Sequence, residues 1–293
     1  MKLRPIIVFA VIAALFIGFI YWREHVTPPA KARERRAVIA KTSPKISRKK
    51  AVVAPKPVVA VVTAPAPTIV KARKRAKVAI VIDDFGYSMN NVEALLDIGE
   101  PFTLSILPKQ RYSHEVANLA RSRGYEVMLH LPLEAQRKDV KEESDTIRSG
   151  MSENEVITRL KRDIADVPGI DGVSNHQGSK ATEDKALMAE ILQYLKKNKL
   201  YFFDSLTSQN SVCREVASEV DIRYARRDIF LDNTSDVAAI EKQLAELKKM
   251  AFARGKAIAV CHDRKNTAAA LSRMMPEMSA EGIEFVYLSD MEK

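Results

Sequence analysis

The sequence predicts an α/β domain built on a parallel sheet, and three observations predict it. From residue 78 onward, short apolar runs alternate with amphipathic helical patterns. Most of those runs are followed by a helix, which is how parallel strands are connected. No GxGxxG follows the first run, so a dinucleotide-binding sheet is disfavoured against a closed β/α barrel. No internal repeat is visible.

The elements follow in order. Val78–Ile82 reads as a strand and Met89–Leu96 as a helix. Phe102–Leu107 is the next strand, followed by a helix over His114–Arg123 that Gly124 closes. Glu126–Leu131 is a strand, and after a charged loop Ser152-x-x-Glu155 forms a capping box that opens a helix over Glu153–Val167. A short strand ends at Gly172–Asn175, and Thr182 is expected to cap a helix over Glu183–Lys197. Tyr201–Asp204 and Ile229–Leu231 read as strands separated by a helix at Val212–Val220. A long helix over Ser235–Ala253, a strand at Lys256–Cys261, a helix at Thr267–Ser279 and a strand at Ile283–Leu288 complete the chain. Seven or eight strands result.

Charge divides the chain. Residues 1–77 carry 18 Lys and Arg against 2 Asp and Glu, a net +16, while the remaining 29 basic and 35 acidic residues leave residues 78–293 at −6. A nucleic-acid-binding domain carries its basic excess on its own folded surface, so nucleic acid is not an expected partner. Two cysteines, Cys213 and Cys261, exclude a disulfide scaffold.

The apolar run Ile6–Trp22 has no charged residue, follows Lys2 and Arg4, and ends in Tyr21-Trp22. Those features predict an N-terminal membrane anchor or signal segment over residues 1–22, at the short end of what spans a bilayer. No small-x-small cleavage site follows closely, which favours an uncleaved, single-pass anchor. Residues 23–77 are rich in Ala, Pro, Val, Lys and Arg and contain seven prolines without periodicity. They read as a linker whose basic charge suits an anionic envelope surface. The folded region, 78–293, is then expected on the periplasmic or extracellular side of a bacterial inner membrane.

In folds of this class, chemistry gathers at the C-terminal ends of the strands. The first strand ends in Asp83-Asp84, the third at His130, the fourth at Asn175-His176, the fifth at Asp204, and the strand near Ala259 at His262. Two adjacent carboxylates need a cation or a shared proton to be tolerated. Three strand-end histidines beside them point to a metal held by oxygen and imidazole, such as zinc, manganese or iron rather than calcium. Cys261 lies beside His262, but neighbouring strand residues point to opposite faces, so it reads as a buried apolar residue.

The segments Ile82-Asp83-Asp84-Phe85-Gly86, Ser105-Ile106-Leu107-Pro108, His130-Leu131-Pro132-Leu133-Glu134 and Asn175-His176-Gln177-Gly178-Ser179 together resemble the divergent polysaccharide deacetylase family. So do Phe203-Asp204-Ser205 and the stretch Arg227–Asn233. The resemblance runs from about Val78 to Met291 and implies an irregular (β/α)7 barrel of the NodB type. It implies a divalent metal, zinc foremost, bound by Asp84, His130 and His176. It also implies Asp83 as general base and His262 as general acid, with Glu134, Asp204 and Asn175 supporting them. The implied substrate is an acetylated polysaccharide. The competing reading is a non-catalytic glycan-binding or envelope-assembly protein on the same fold.

Overall fold

The computed structural model describes residues 75–291. The expected anchor at 1–22 and almost all of the expected linker lie outside these residues, and no helix among those described is long and apolar enough to cross a membrane.

Among the described residues, nine strands form one sheet, and every pair in it is parallel. They are β1 (Ala76–Phe85), β2 (Thr103–Ile106), β3 (Glu126–Leu133), β4 (Gly172–Gln177), β5 (Tyr201–Asp204), β6 (Tyr224–Arg226), β7 (Ile229–Phe230), β8 (Lys256–His262) and β9 (Ile283–Phe285). Their order is β6-β5-β4-β3-β2-β1-β8-β7, with β9 beside the first half of β1. The helices are α1 (Val92–Leu96), α2 (Ser113–Ser122), α3 (Glu153–Asp166), α4 (Lys185–Lys197), α5 (Cys213–Val220), α6 (Val237–Arg254) and α7 (Lys265–Ala280).

β6 and β7 stand at opposite ends of this order, yet only Arg227 and Asp228 separate them in the chain. The Arg227 N–H donates to the Asp204 carbonyl on one edge, and the Asp228 N–H to the Ile258 carbonyl on the other. The sheet therefore curls until its edges are bridged by two residues, and the architecture is the irregular β/α barrel expected. β6 is the strand missing from the sequence expectation, because Tyr-Ala-Arg is too short and mixed to show a period.

The pleat sorts the side chains of this curled sheet. Val78, Ile80 and Ile82 point outward, into a core shared with the helices that includes Val127, Leu129, Leu192, Leu244 and Leu271. Ala79, Val81, Met128, Tyr201, Phe203 and Val260 point inward and form a second cluster with Leu288 and Met291. Each fully buried Leu, Ile or Val contributes roughly 1.5–3 kcal/mol relative to exposure. At the base of the interior, Glu126 accepts hydrogen bonds from Thr103 (2.8 Å) and the Tyr201 hydroxyl (2.8 Å). Gly172 makes room for Tyr201, since a Cβ there would meet the phenol ring at 2.5 Å. The interior is thus filled below and polar above.

Two local expectations change. The helix expected over Glu183–Lys197 is split into a 3-10 turn at Ala181–Glu183 and α4, and the cap is Asp184, which accepts from the Leu187 N–H at 3.1 Å. The Thr182 hydroxyl is taken by the Gly178 carbonyl at 2.8 Å, so it is not free to cap. The last strand stops at Phe285 and gives way to a 3-10 turn at Leu288–Asp290. The capping box at Ser152 and Glu155 forms as expected.

Candidate metal centre

β1 must deliver two neighbouring side chains to one place, which a regular strand cannot do. The register against β2 runs Ile82↔Leu104 and then Phe85↔Ile106, so β1 carries one extra residue at Asp83-Asp84. Asp84 absorbs this bulge with φ of +66°, a left-handed conformation that Asp tolerates better than most residues. The bulge aims Asp84 at the mouth while Asp83 stays on the inner face, only 2% exposed.

His130 and His176 come from the neighbouring ends of β3 and β4. The Asp84 Oδ1 lies 3.4 Å from His130 Nε2 and 3.2 Å from His176 Nδ1, and the two rings meet edge to face at 4.9 Å. These three residues each offer a donor atom, all within 4.8 Å of one another. Behind them, Ser174 Oγ lies 2.8 Å from His130 Nδ1 and 2.7 Å from Ser105 Oγ. With Nδ1 engaged there, His130 presents Nε2 toward Asp84, the orientation that a buried hydrogen bond commonly sets for a ligating imidazole.

Asp84 Oδ1 is buried, and its polar neighbours are the two imidazole nitrogens. A carboxylate oxygen beside two imidazole nitrogens is a donor set that fits a divalent cation. Burial works against ionisation of Asp84, but its contacts with His130 and His176 outweigh it and hold the carboxyl well below its usual range.

Asp83 faces the same space. Burial pushes its carboxyl up; the rings of His130 and His262 pull it down, and the Asp84 charge pushes it up again, for a net rise. His130 Nδ1 lies 3.6 Å from Asp83 Oδ1. Asp83 and His262 are register partners across β1 and β8.

His262 is held by a residue to which the sequence analysis gave no role. Asp232, fully buried, accepts from the His262 N–H (2.9 Å), pairs with His262 Nδ1 (2.8 Å) and accepts from the Thr267 hydroxyl (2.8 Å). Burial disfavours the charged imidazole, but the Asp232 hydrogen bond and charge outweigh it and raise the His262 pKa. Phe230 lies parallel to the imidazole with ring centroids 5.8 Å apart, and the Arg227 guanidinium covers Phe230 at 4.0 Å. The signal for Asp232 was present in Arg227–Asn233, one of the segments carrying the family resemblance.

The three residues expected to support the site lie around it in other roles. Glu134 accepts from the Ser149 N–H (3.0 Å) and Lys180 Nζ (2.9 Å), pinning two loops. Asp204 accepts from the Leu206 N–H (2.7 Å), Ser211 (2.7 Å) and Tyr224 (3.2 Å), so the carboxylate at His262 is Asp232 instead. Asn175 accepts from the Ser205 N–H (2.9 Å) and donates to the Gln177 carbonyl (2.9 Å), tying the ends of β4 and β5 together. Asp263, next to His262 in the chain, accepts from Asn91 at 2.8 Å. Cys213 and Cys261 are both buried free thiols.

Comparison with known proteins places this geometry among relatives. A family model described as divergent polysaccharide deacetylase matches residues 80–291. The uncharacterized protein YibQ of Escherichia coli (strain K12) is 33% identical over 199 residues, covering 68% of this chain and 62% of that protein. The match therefore spans less than two thirds of that relative's length. An uncharacterized protein of Haemophilus influenzae is 34% identical over 206 residues, covering 69% of this chain and 73% of its own length. The crystal structure of an uncharacterized protein from Agrobacterium tumefaciens C58 superposes with a TM-score of 0.71 at 26% identity, over 75% of this chain and 90% of that one.

Proposed function

The chain belongs to the divergent polysaccharide deacetylase family, and from that premise we propose that it is a metal-dependent hydrolase removing acetyl groups from an envelope glycan. The observation that carries the reading is the convergence of Asp84, His130 and His176 on one point, with Asp83 and His262 beside it.

Asp84, His130 and His176 are the residues that would hold the metal, with zinc the best match to one carboxylate and two imidazoles. When bound, a divalent cation there supplies a polarised acetyl carbonyl and a water acidified toward neutrality. Asp83, shielded from solvent, accepts the proton of the attacking water. His262, kept protonated by Asp232, gives a proton to the departing sugar nitrogen or oxygen. Asp232 also fixes the ring, because its two oxygens engage both Nδ1 and the backbone N–H of the same residue. Phe230 lies parallel to the imidazole and helps to hold its plane. In this reading the domain works at the cell envelope, anchored in the inner membrane by residues 1–22 and reaching the glycan through the basic linker.

Acetate release separates this proposal from a glycan-binding role on the same fold. The full-length chain, reconstituted with zinc and given acetylated oligosaccharides, is expected to liberate acetate. Asp83→Asn is expected to reduce the rate by about 10²-fold or more while oligosaccharide binding persists. Binding without acetate release by the wild-type chain, across N- and O-acetylated sugars, overturns it.

A further inference from the structure

We propose that Tyr87 is a stacking platform for a sugar ring next to the acetylated residue. The inference rests on the proposed deacetylase reading for its substrate but not for its test.

A lone exposed aromatic needs no explanation by itself. Tyr87 differs by where it sits and how it is held. It is 51% exposed and is the only large hydrophobic side chain exposed among the described residues. It lies three residues after Asp84, where the chain leaves β1 for the mouth of the barrel. Gly86 makes that exit possible. Its φ is +117°, and a Cβ there would meet Ser113 Oγ at 3.0 Å, Gln110 Cβ at 3.1 Å and the Leu107 carbonyl at 3.2 Å. The backbone is thus pressed against the β2–α2 turn, and Tyr87 is turned outward from it.

The ring is exposed but fixed. Its hydroxyl donates to Glu143 Oε1 at 2.5 Å, and the other oxygen of that carboxylate accepts from Gln110 Nε2 at 2.8 Å. Burial, followed by the Glu143 hydrogen bond and charge, holds the phenol protonated, and the Asp84 charge acts in the same direction. Tyr87 is therefore tied at its polar tip by the 134–151 loop, with its apolar body open to solvent. An amphipathic ring immobilised before binding offers the axial C–H face of a pyranose a flat contact at little cost in conformational freedom.

The test measures binding of tetra-N-acetylchitotetraose to the zinc-loaded full-length chain carrying Asp83→Asn, so that the probe is not consumed. Adding Tyr87→Ala is expected to raise Kd about tenfold, a loss of roughly 1.4 kcal/mol. Tyr87→Phe keeps the ring and loses the Glu143 tether, and its Kd is expected to fall between those of the parent and Tyr87→Ala. An unchanged Kd in Tyr87→Ala overturns the proposal, as does a parent chain that does not bind the tetrasaccharide. Failure of the deacetylase reading has a different signature: no acetate from the wild-type chain, with Tyr87-dependent binding intact.

Discussion

In the proposed mechanism, Asp232 is the residue on which the part played by His262 turns. Its carboxylate is fully buried and spends both oxygens on the His262 ring and backbone and on Thr267. Asp232→Asn preserves shape but removes the charge that keeps the imidazole protonated. The expected result is a fall in kcat of about 10–100-fold with KM little changed, together with a high-pH limb of the rate profile displaced to lower pH. An unchanged profile would assign Asp232 a purely architectural part. The five residues gathered at the candidate site, Asp83, Asp84, His130, His176 and His262, could be picked out by their strand-end positions, because parallel β/α folds send those ends to one face. The bulge that orients Asp84 could not, since Asp83-Asp84 is equally compatible with an ordinary turn. Asp232 lay in a segment that carried the family resemblance, but its pairing with a histidine 30 positions away was not visible, because no local pattern operates over that distance.

Among the elements, α3 is anchored by charge as well as by packing. Lys109, itself left-handed with φ of +58°, holds Asp145 through its ammonium group and Asp166 through its backbone N–H, and lies 3.3 Å from the fully buried Asp163. Burial raises the Asp163 carboxyl to about 6, only partly offset by Lys109. A carboxyl raised on folding stabilises the native state below its unfolded value near 3.8 and loses that contribution as pH climbs to about 6. Asp163→Asn cannot ionise and escapes the loss. Between pH 4 and 7 its unfolding free energy should therefore gain roughly 2–3 kcal/mol on the wild type, as read by urea denaturation at each pH. A difference that stays flat over that range would show that Lys109 fully compensates the buried charge. Strong local signals such as the Ser152 box marked α3 from sequence, whereas the split before α4 depended on Gly178 competing for Thr182.

At the scale of the whole molecule, β1 is the axis of the design. It pairs with β2, β8 and β9 and carries the Asp83-Asp84 bulge. The alternation of apolar runs and helices was enough to foresee a parallel sheet covered by helices, and the family resemblance supplied the barrel. Closure through the Arg227-Asp228 link was not visible, because it joins the two edges of the sheet across two residues that belong to no strand. Curling brings β3 and β4 beside the bulge and β8 behind it, and this convergence turns separate strand ends into a candidate metal centre. The most direct test is elemental analysis of the purified full-length chain after zinc reconstitution, beside Asp84→Ala and His176→Ala. The account predicts about one tightly held zinc per wild-type chain and a loss of affinity of at least about tenfold in each variant. A wild-type chain that retains no zinc or other divalent metal, or variants that hold it as tightly as the wild type, would contradict the account.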